Sequence, residues 1–520
     1  MRAALGAPGI TIPSILLLLA LAAAEAVRRG PWLDEFWTLE LSDYRNGLWS
    51  LIRDGWLHDV HPPVFNAWTS LLAWLGITSI AEGRLASNLL AAGLMVLAAW
   101  RLTLRRPEQA GFTAAFLLLA LSLPRAMEAF AIYRSYFWQI AAMATLALVA
   151  RHLASARRDL DLHRDLDLAA IAAVATTASM TLHYVCALFG GLLAGAIALH
   201  AFHRGLMKWA GLIVVAAVAA TLFDILMLLL QAPHWSAELD HNWNDMPPLT
   251  ALGVPLALAA LAVCANPVPL LGLLRRARNT REREGERAFA LMVGAVLVAG
   301  TAAILAVHLF RPVVVDRYLF AVPVLVAALL ALPAARFAGD RRLFGLLAVV
   351  SVAVPAVTMV VSGGQPLWRE NAQAIAKIVA DCPATQVYAA SGWALGPAAE
   401  THAARREDVV FERAYRLLAD EYGYPVRFIG QGGKAEAPAS PCPVLLWFEH
   451  TPNEAEDDLP AAIEAAGLGG LQDAHLSAVR SVTGFVVQAT RDGGSETEIA
   501  AGAKSEQIES GSSPSEWGGR

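Results

Sequence analysis

The chain reads as a polytopic α-helical membrane protein with a C-terminal α/β domain outside the cytoplasm. Three observations predict this: the overall composition, the recurrence of apolar runs up to residue 361, and the change of composition after it. Hydrophobic residues make up 56 % of the 520 positions, charged residues 16 %, and mean hydropathy is +0.48. A soluble domain carries about 25 % charged residues, so this chain has too little polar surface to solvate itself. The net charge of −5 has no extended basic surface behind it, which excludes nucleic acid as a partner class. Tryptophan concentrates at membrane–water interfaces, and many of the 15 fall between the apolar runs, at Trp32, Trp37, Trp49, Trp56, Trp235, Trp243 and Trp368.

Apolar runs recur at 10–27, 84–100, 111–124, 136–150, 168–182, 184–202, 209–230, 250–271, 288–310, 318–335 and 343–361. These make about eleven spans, or twelve to thirteen if marginal segments also cross. The first run follows Arg2 and contains Ala22-Ala23-Ala24 before Glu25, a pattern that also suits a signal peptide. Its length, and the spans that follow, favour a retained first span. Val64–Ile77 is too short to cross, and counting it would put Arg105 and Arg106 on the wrong side; it reads as a juxtamembrane helix.

Orientation follows from Lys and Arg in the short loops. With the N-terminus inside, the cytoplasmic loops hold Arg101, Arg105, Arg106, Arg151, Arg157, Arg158, Arg164, Arg204 and Lys208. They also hold the cluster from Arg275 to Arg287, then Arg336, Arg341 and Arg342, whereas 231–249 has no Lys or Arg. The expected location is a bacterial-type inner membrane.

The expected domains are a transmembrane domain over 1–361, with an outer loop at 28–63 and a juxtamembrane segment at 64–78, a soluble domain over 362–491, and a disordered tail over 492–520. Within the soluble domain the patterns predict helices at 369–381, 398–420 and 454–466, and strands at 385–390, 425–429, 443–449 and 482–489. Cys382 and Cys442 each stand just before one of those strands. If the strands are parallel neighbours, the two cysteines share a sheet edge and reach bonding distance, as suits an oxidising compartment. Cys186 and Cys264, inside spans, read as inert core residues.

The outer loop 28–63 carries the densest chemistry. It opens Pro31-Trp32-Leu33-Asp34-Glu35-Phe36-Trp37 and closes Asp59-Val60-His61-Pro62-Pro63. A carboxylate pair near an Asp/His group suits a general base or a divalent-cation site; an acidic loop flanked by interfacial aromatics is the plainer reading. Arg134, Arg311 and Arg317 all fall at outer ends of spans, and the planar arginine fork suits phosphate. His183, followed by Tyr184, lies at another outer boundary, placed to line a pocket or add a metal ligand. Asp224 lies well inside a span, where carboxylates are rare, and its role stays open.

Asp34-Glu35 after span one, followed by His61-Pro62-Pro63, resembles the family 39 glycosyltransferases of the GT-C fold, which include protein O-mannosyltransferases and bacterial aminoarabinose transferases. The resemblance extends to Glu82-Gly83-Arg84-Leu85-Ala86-Ser87, Tyr133-Arg134-Ser135-Tyr136 and Asp316-Arg317-Tyr318-Leu319-Phe320. It covers about residues 8–361; the soluble domain matches only in general type. It implies inverting sugar transfer from a polyprenyl-phosphate carrier to an extracytoplasmic protein, lipid or glycan. Asp34 is then the base, supported by Glu35. His61, Asp59, Arg134, Tyr133, Arg317, Tyr318 and His183 bind substrate, and a divalent metal ion on Glu35 and His61 is the implied cofactor. Other polytopic envelope enzymes use the same carriers, and a transporter or flippase for lipid-linked sugars has a similar span number. A transporter should show intramembrane charges in two matching halves; here the charges cluster outside and no internal repeat is visible.

Overall fold

The computed structural model describes residues 6–45, 47–156, 162, 164–234, 247–275, 280–310, 313–361, 365–391, 404–429, 435, 441–449, 474–481 and 483–491. These fall into two compact units. The first comprises the described residues of Met1–Arg28, Leu41–Trp235 and Met246–Gly364; the second, those of Arg29–Glu40 and Gln365–Arg520. The protein is a multi-pass membrane protein: among the described residues, eight helices are long and apolar enough to cross a membrane. A bent pair, Pro107–Ser122 with Pro124–Phe130, brings the number to nine, and Leu166–Thr181 and Ala321–Ala335 are shorter apolar helices. Every expected span coincides with one of these. Helices are the form such runs must take, because lipid offers the backbone no hydrogen-bonding partner.

Two expectations need correction. The run 111–124 is no straight span: the chain bends by 68° at Leu123. Leu123 is extended (ψ 130) because the proline after it disfavours helical backbone there. Cys264 is no core residue but exposed. It lies off the buried stripe Ala251, Pro255, Leu258, Ala262 and Ala265 of its helix. Val64–Trp74 is an 11-residue helix, too short to span, and Ser79 caps the next one by accepting the Glu82 N–H at 3.2 Å.

Burial sorts the bundle. In Tyr136–Ala154, 94 % of the most apolar stretch is buried, and Ala321–Ala335 is buried on nearly every face. Helices apolar all round belong inside a bundle. The outer helices instead expose residues such as Val215, Leu229 and Val298, the surface a lipid-facing span requires.

The second unit is a five-stranded sheet with helices Trp368–Asp381 and Ala404–Tyr422. Strand order is β2-β1-β3-β5-β4, with β1 Gln386–Ser391, β2 Arg427–Phe428, β3 Val444–Glu449, β4 Ala474–Arg480 and β5 Gly484–Arg491. β1 runs parallel to β2 and β3; β5 runs antiparallel to β3 and β4. Sequence patterning missed β4, an edge strand whose alanines, serine and arginine give little apolar alternation. The parallel register Gln386↔Val444 puts Cys382 and Cys442 at one sheet edge, where they form a disulfide across 60 residues. Such a bond stabilises by about 4 kcal/mol in the chain-entropy model. The Cys382→Ala/Cys442→Ala full-length protein should therefore lose this unit's protease resistance at lower denaturant, with the bundle's resistance unchanged.

The segment Arg29–Glu40, which precedes and forms the helix Leu33–Glu40, belongs to this unit. Phe36 packs on Trp368 at 5.1 Å between ring centroids, and Glu40 pairs with Arg413 at 2.9 Å. Gly30 donates its N–H to the Gln365 carbonyl, and a Cβ at residue 30 would sit 1.7 Å from the Pro366 oxygen, so only glycine fits. Trp368 is fully buried between Phe36, Phe411 and Tyr415. It is therefore a core residue of this unit rather than an interfacial anchor. The helix expected at 454–466, the 398–403 part of that expected at 398–420, Trp235, Trp243 and the tail 492–520 lie outside the described residues.

Candidate functional site

In the first unit, the residues around His61 are drawn from four separate stretches of chain. Asp59 and His61 end the outer loop just before Val64–Trp74, and the two prolines fix the turn between them and that helix. The Asp59 carboxylate faces the His61 Nδ1 at 3.2 Å and accepts the Asn66 amide at 2.9 Å. Arg134 approaches the same Nδ1 at 3.2 Å. Burial opposes ionisation of Asp59, but His61, Arg134 and Asn66 outweigh it and hold the carboxyl well below the usual carboxylate range. Asp59 is thus an anchored anion that positions His61.

The His183 ring lies 4.9 Å from that of His61 and 4.6 Å from that of Tyr318, while the Arg317 guanidinium sits 5.6 Å over the Tyr318 ring. Asp316 accepts the Arg317 backbone N–H at 2.6 Å and also pairs with Arg125, which pairs in turn with Glu128. Tyr133 is buried against Phe65 and against Gly83, where a Cβ would meet its ring at 2.5 Å. Burial raises the Tyr133 phenol well above its usual range, so it stays protonated. Ser87 receives the indole N–H groups of both Trp68 and Trp138, at 3.0 and 2.8 Å. Arg84, 1 % exposed, donates to the Ala26 carbonyl at 2.8 Å.

Gln231 was not anticipated. Fully buried at the end of Met207–Gln231, it accepts from the Tyr184 hydroxyl at 2.6 Å and donates to the carbonyls of Trp56 and His61, both at 2.9 Å. It therefore ties the 56–61 segment to the bundle. A lone amide in the last turn of an apolar span was a visible signal; Asn66, three residues past Pro63, was another.

Asp34 and Glu35 are in the second unit, in the first turn of Leu33–Glu40. Glu35 is fully buried and accepts the Trp32 N–H at 2.9 Å, closing the helix start. Asp224 lies on the buried face of its span, and neither carboxylate oxygen has a partner among the described residues. Arg311 lies outside the described residues. Among the described residues no three His, Cys, Asp or Glu side chains gather as metal ligands, and Glu35 and His61, in separate units, each already hold protein partners.

Fold and site together define a multi-pass membrane protein whose bundle carries a partly buried cluster of arginine, histidine and tyrosine beside one anchored aspartate. No protein-family model matches the chain, and no curated protein does. Among solved structures, it is similar to the crystal structure of ArnT from Cupriavidus metallidurans bound to undecaprenyl phosphate. Identity is 14 %, the match covers 92 % of this chain and 98 % of that one, and the TM-score is 0.49. That likeness assigns no role to any residue of this chain.

Proposed function

We propose that this protein is a GT-C glycosyltransferase of the family 39 type, moving a sugar from a polyprenyl-phosphate carrier to an extracytoplasmic acceptor with inversion. One observation carries the reading: stretches that resemble family motifs, scattered from His61 to Phe320, meet in one unit. His61 meets Arg134 and Tyr318, and Gly83 meets Tyr133. Packing alone has no need to gather two arginines, two histidines and a tyrosine there.

The chemistry follows from charge. Breaking the sugar–phosphate bond leaves negative charge on the departing phosphate, and Arg134 and Arg317 stabilise it with fixed donors. His61, held by Asp59, orients the sugar. Asp34 takes the proton from the acceptor hydroxyl, while Glu35, occupied by the Trp32 N–H, supports the helix that carries Asp34. The acceptor is a protein, lipid or glycan. The Cys382–Cys442 bond and the loop charges support placing the soluble domain and the active loop outside the cytoplasm, in an inner membrane.

Mass spectrometry of lipids copurifying with the protein tests this. A polyprenyl phosphate or its glycosylated form is expected; only bulk phospholipid, even after loading with polyprenyl phosphate, counts against it.

A second expected outcome concerns the soluble domain. Glu449 is fully buried on β3, and its Oε1 accepts the Asn371 amide at 2.8 Å and the Trp447 indole at 2.7 Å. Burial nonetheless pushes its carboxyl up to about 8 from 4.5. The unfolded chain therefore releases this proton before the folded one does. Stability contributed by this group is full below pH 4.5 and is lost as pH rises towards 8, at about 1.4 kcal/mol per pH unit. Thermal melts of the full chain between pH 5 and 9 should show that slope, and Glu449→Gln should flatten it.

A further inference from the structure

His183 joins Leu166–Thr181 to Tyr184–His203, and its Nδ1 accepts the Val185 N–H at 3.1 Å as the cap of the second helix. A nitrogen that accepts carries no hydrogen, so the hydrogen of the neutral ring is on Nε2. That Nε2 is buried without a partner among the described residues, and the whole residue is 4 % exposed. A buried donor left unpaired is costly, and such groups mark a role beyond packing. The ring stands between His61 and Tyr318, with Arg134 and Arg317 near enough to oppose its protonation. Burial first, then His61 and Arg134, hold its pKa well below the usual histidine range, so the ring stays neutral and keeps its single donor.

We propose that the Nε2–H of His183 donates to a phosphate oxygen of the lipid-linked ligand, as an uncharged donor beside Arg134 and Arg317. This rests on the carrier reading above. A neutral donor with a locked tautomer gives direction to the anion without adding charge, so the phosphate is oriented and yet released after transfer. The tetrahedral phosphate offers several acceptor oxygens, enough for both guanidinium groups and the imidazole.

Two substitutions separate the donor from the cap. In His183→Asn the Oδ1 takes the place of Nδ1 and retains a good helix cap, but nothing reaches the position of Nε2. In His183→Gln the amide N–H reaches that position. The full-length protein in detergent is titrated with sugar-free polyprenyl phosphate and with the polyprenyl alcohol of equal length, and melting is followed alongside. His183→Asn should melt like wild type yet bind the phosphate about tenfold more weakly, with alcohol binding unchanged. His183→Gln should recover most of the affinity for the phosphate. Wild-type affinity in His183→Asn, or a loss in His183→Gln as large as in His183→Asn, overturns the donor role and leaves the carrier reading standing. A wild-type protein that does not distinguish the phosphate from the alcohol overturns the carrier reading, and this inference with it. If His183→Asn does not fold, His183→Gln alone decides: retained phosphate affinity supports the donor, and lost affinity overturns it.

Discussion

Asp34→Asn should lower the rate of sugar transfer by about 10²- to 10⁴-fold, the usual contribution of a positioned general base. The substitution is nearly isosteric and keeps the backbone carbonyl that accepts the Thr38 hydroxyl at 3.0 Å. Loss of a negative side chain from a first helical turn costs only about 0.3–1 kcal/mol, so expression and membrane insertion should persist. A base acts in the transition state alone, so kcat and kcat/KM should fall together while the donor KM holds. Near wild-type turnover would end the base assignment. Glu35→Ala is the contrast. It strips the partner from the Trp32 N–H inside the second unit, and its effect should appear first as a lowered melting temperature.

Arg134→Ala should weaken donor binding by about tenfold to a hundredfold, the scale of one or two charge-assisted hydrogen bonds. The residue is 7 % exposed and touches His61, so its removal also leaves Asp59 with one cation fewer. Part of the loss will therefore register as stability. Arg134→Lys separates the two effects: it keeps the charge but not the planar fork, and should restore melting more completely than donor KM. Arg317→Ala should raise donor KM with little change in melting, since this side chain is only half-buried. Unchanged donor affinity in both alanine variants would remove the arginines from the phosphate site.

Much of this was legible in one dimension because the strongest constraints are one-dimensional. Lipid demands long apolar helices, and the spans were readable to within a few residues. The 68° bend at Leu123 announced itself only as a proline inside an apolar run. In the second unit, Cys382 and Cys442 placed before two strands gave the pairing once those strands ran parallel. β4 was missed because an edge strand needs little apolar alternation. Within the site, Asp59, His61, Arg134, His183 and Tyr318 were named from sequence and found together. Gln231 escaped because its partners Tyr184, Trp56 and His61 lie far along the chain, whereas Asn66, bonded to Asp59 seven residues away, was passed over beside the Asp/His pair. Grouping of the Asp34 helix with the C-terminal unit was also hidden, since it depends on Phe36 meeting Trp368 across some 330 residues.

The central claim is that the chain breaks the bond between a carrier phosphate and its sugar. Proteoliposomes loaded with polyprenyl phosphate carrying a radiolabelled sugar test this directly, with the lipid products separated after incubation. Label should leave the carrier and free polyprenyl phosphate should accumulate in step, while the Asp34→Asn protein leaves both unchanged. Label that crosses the bilayer with its sugar–phosphate bond intact would contradict it and show a transporter of lipid-linked sugar instead.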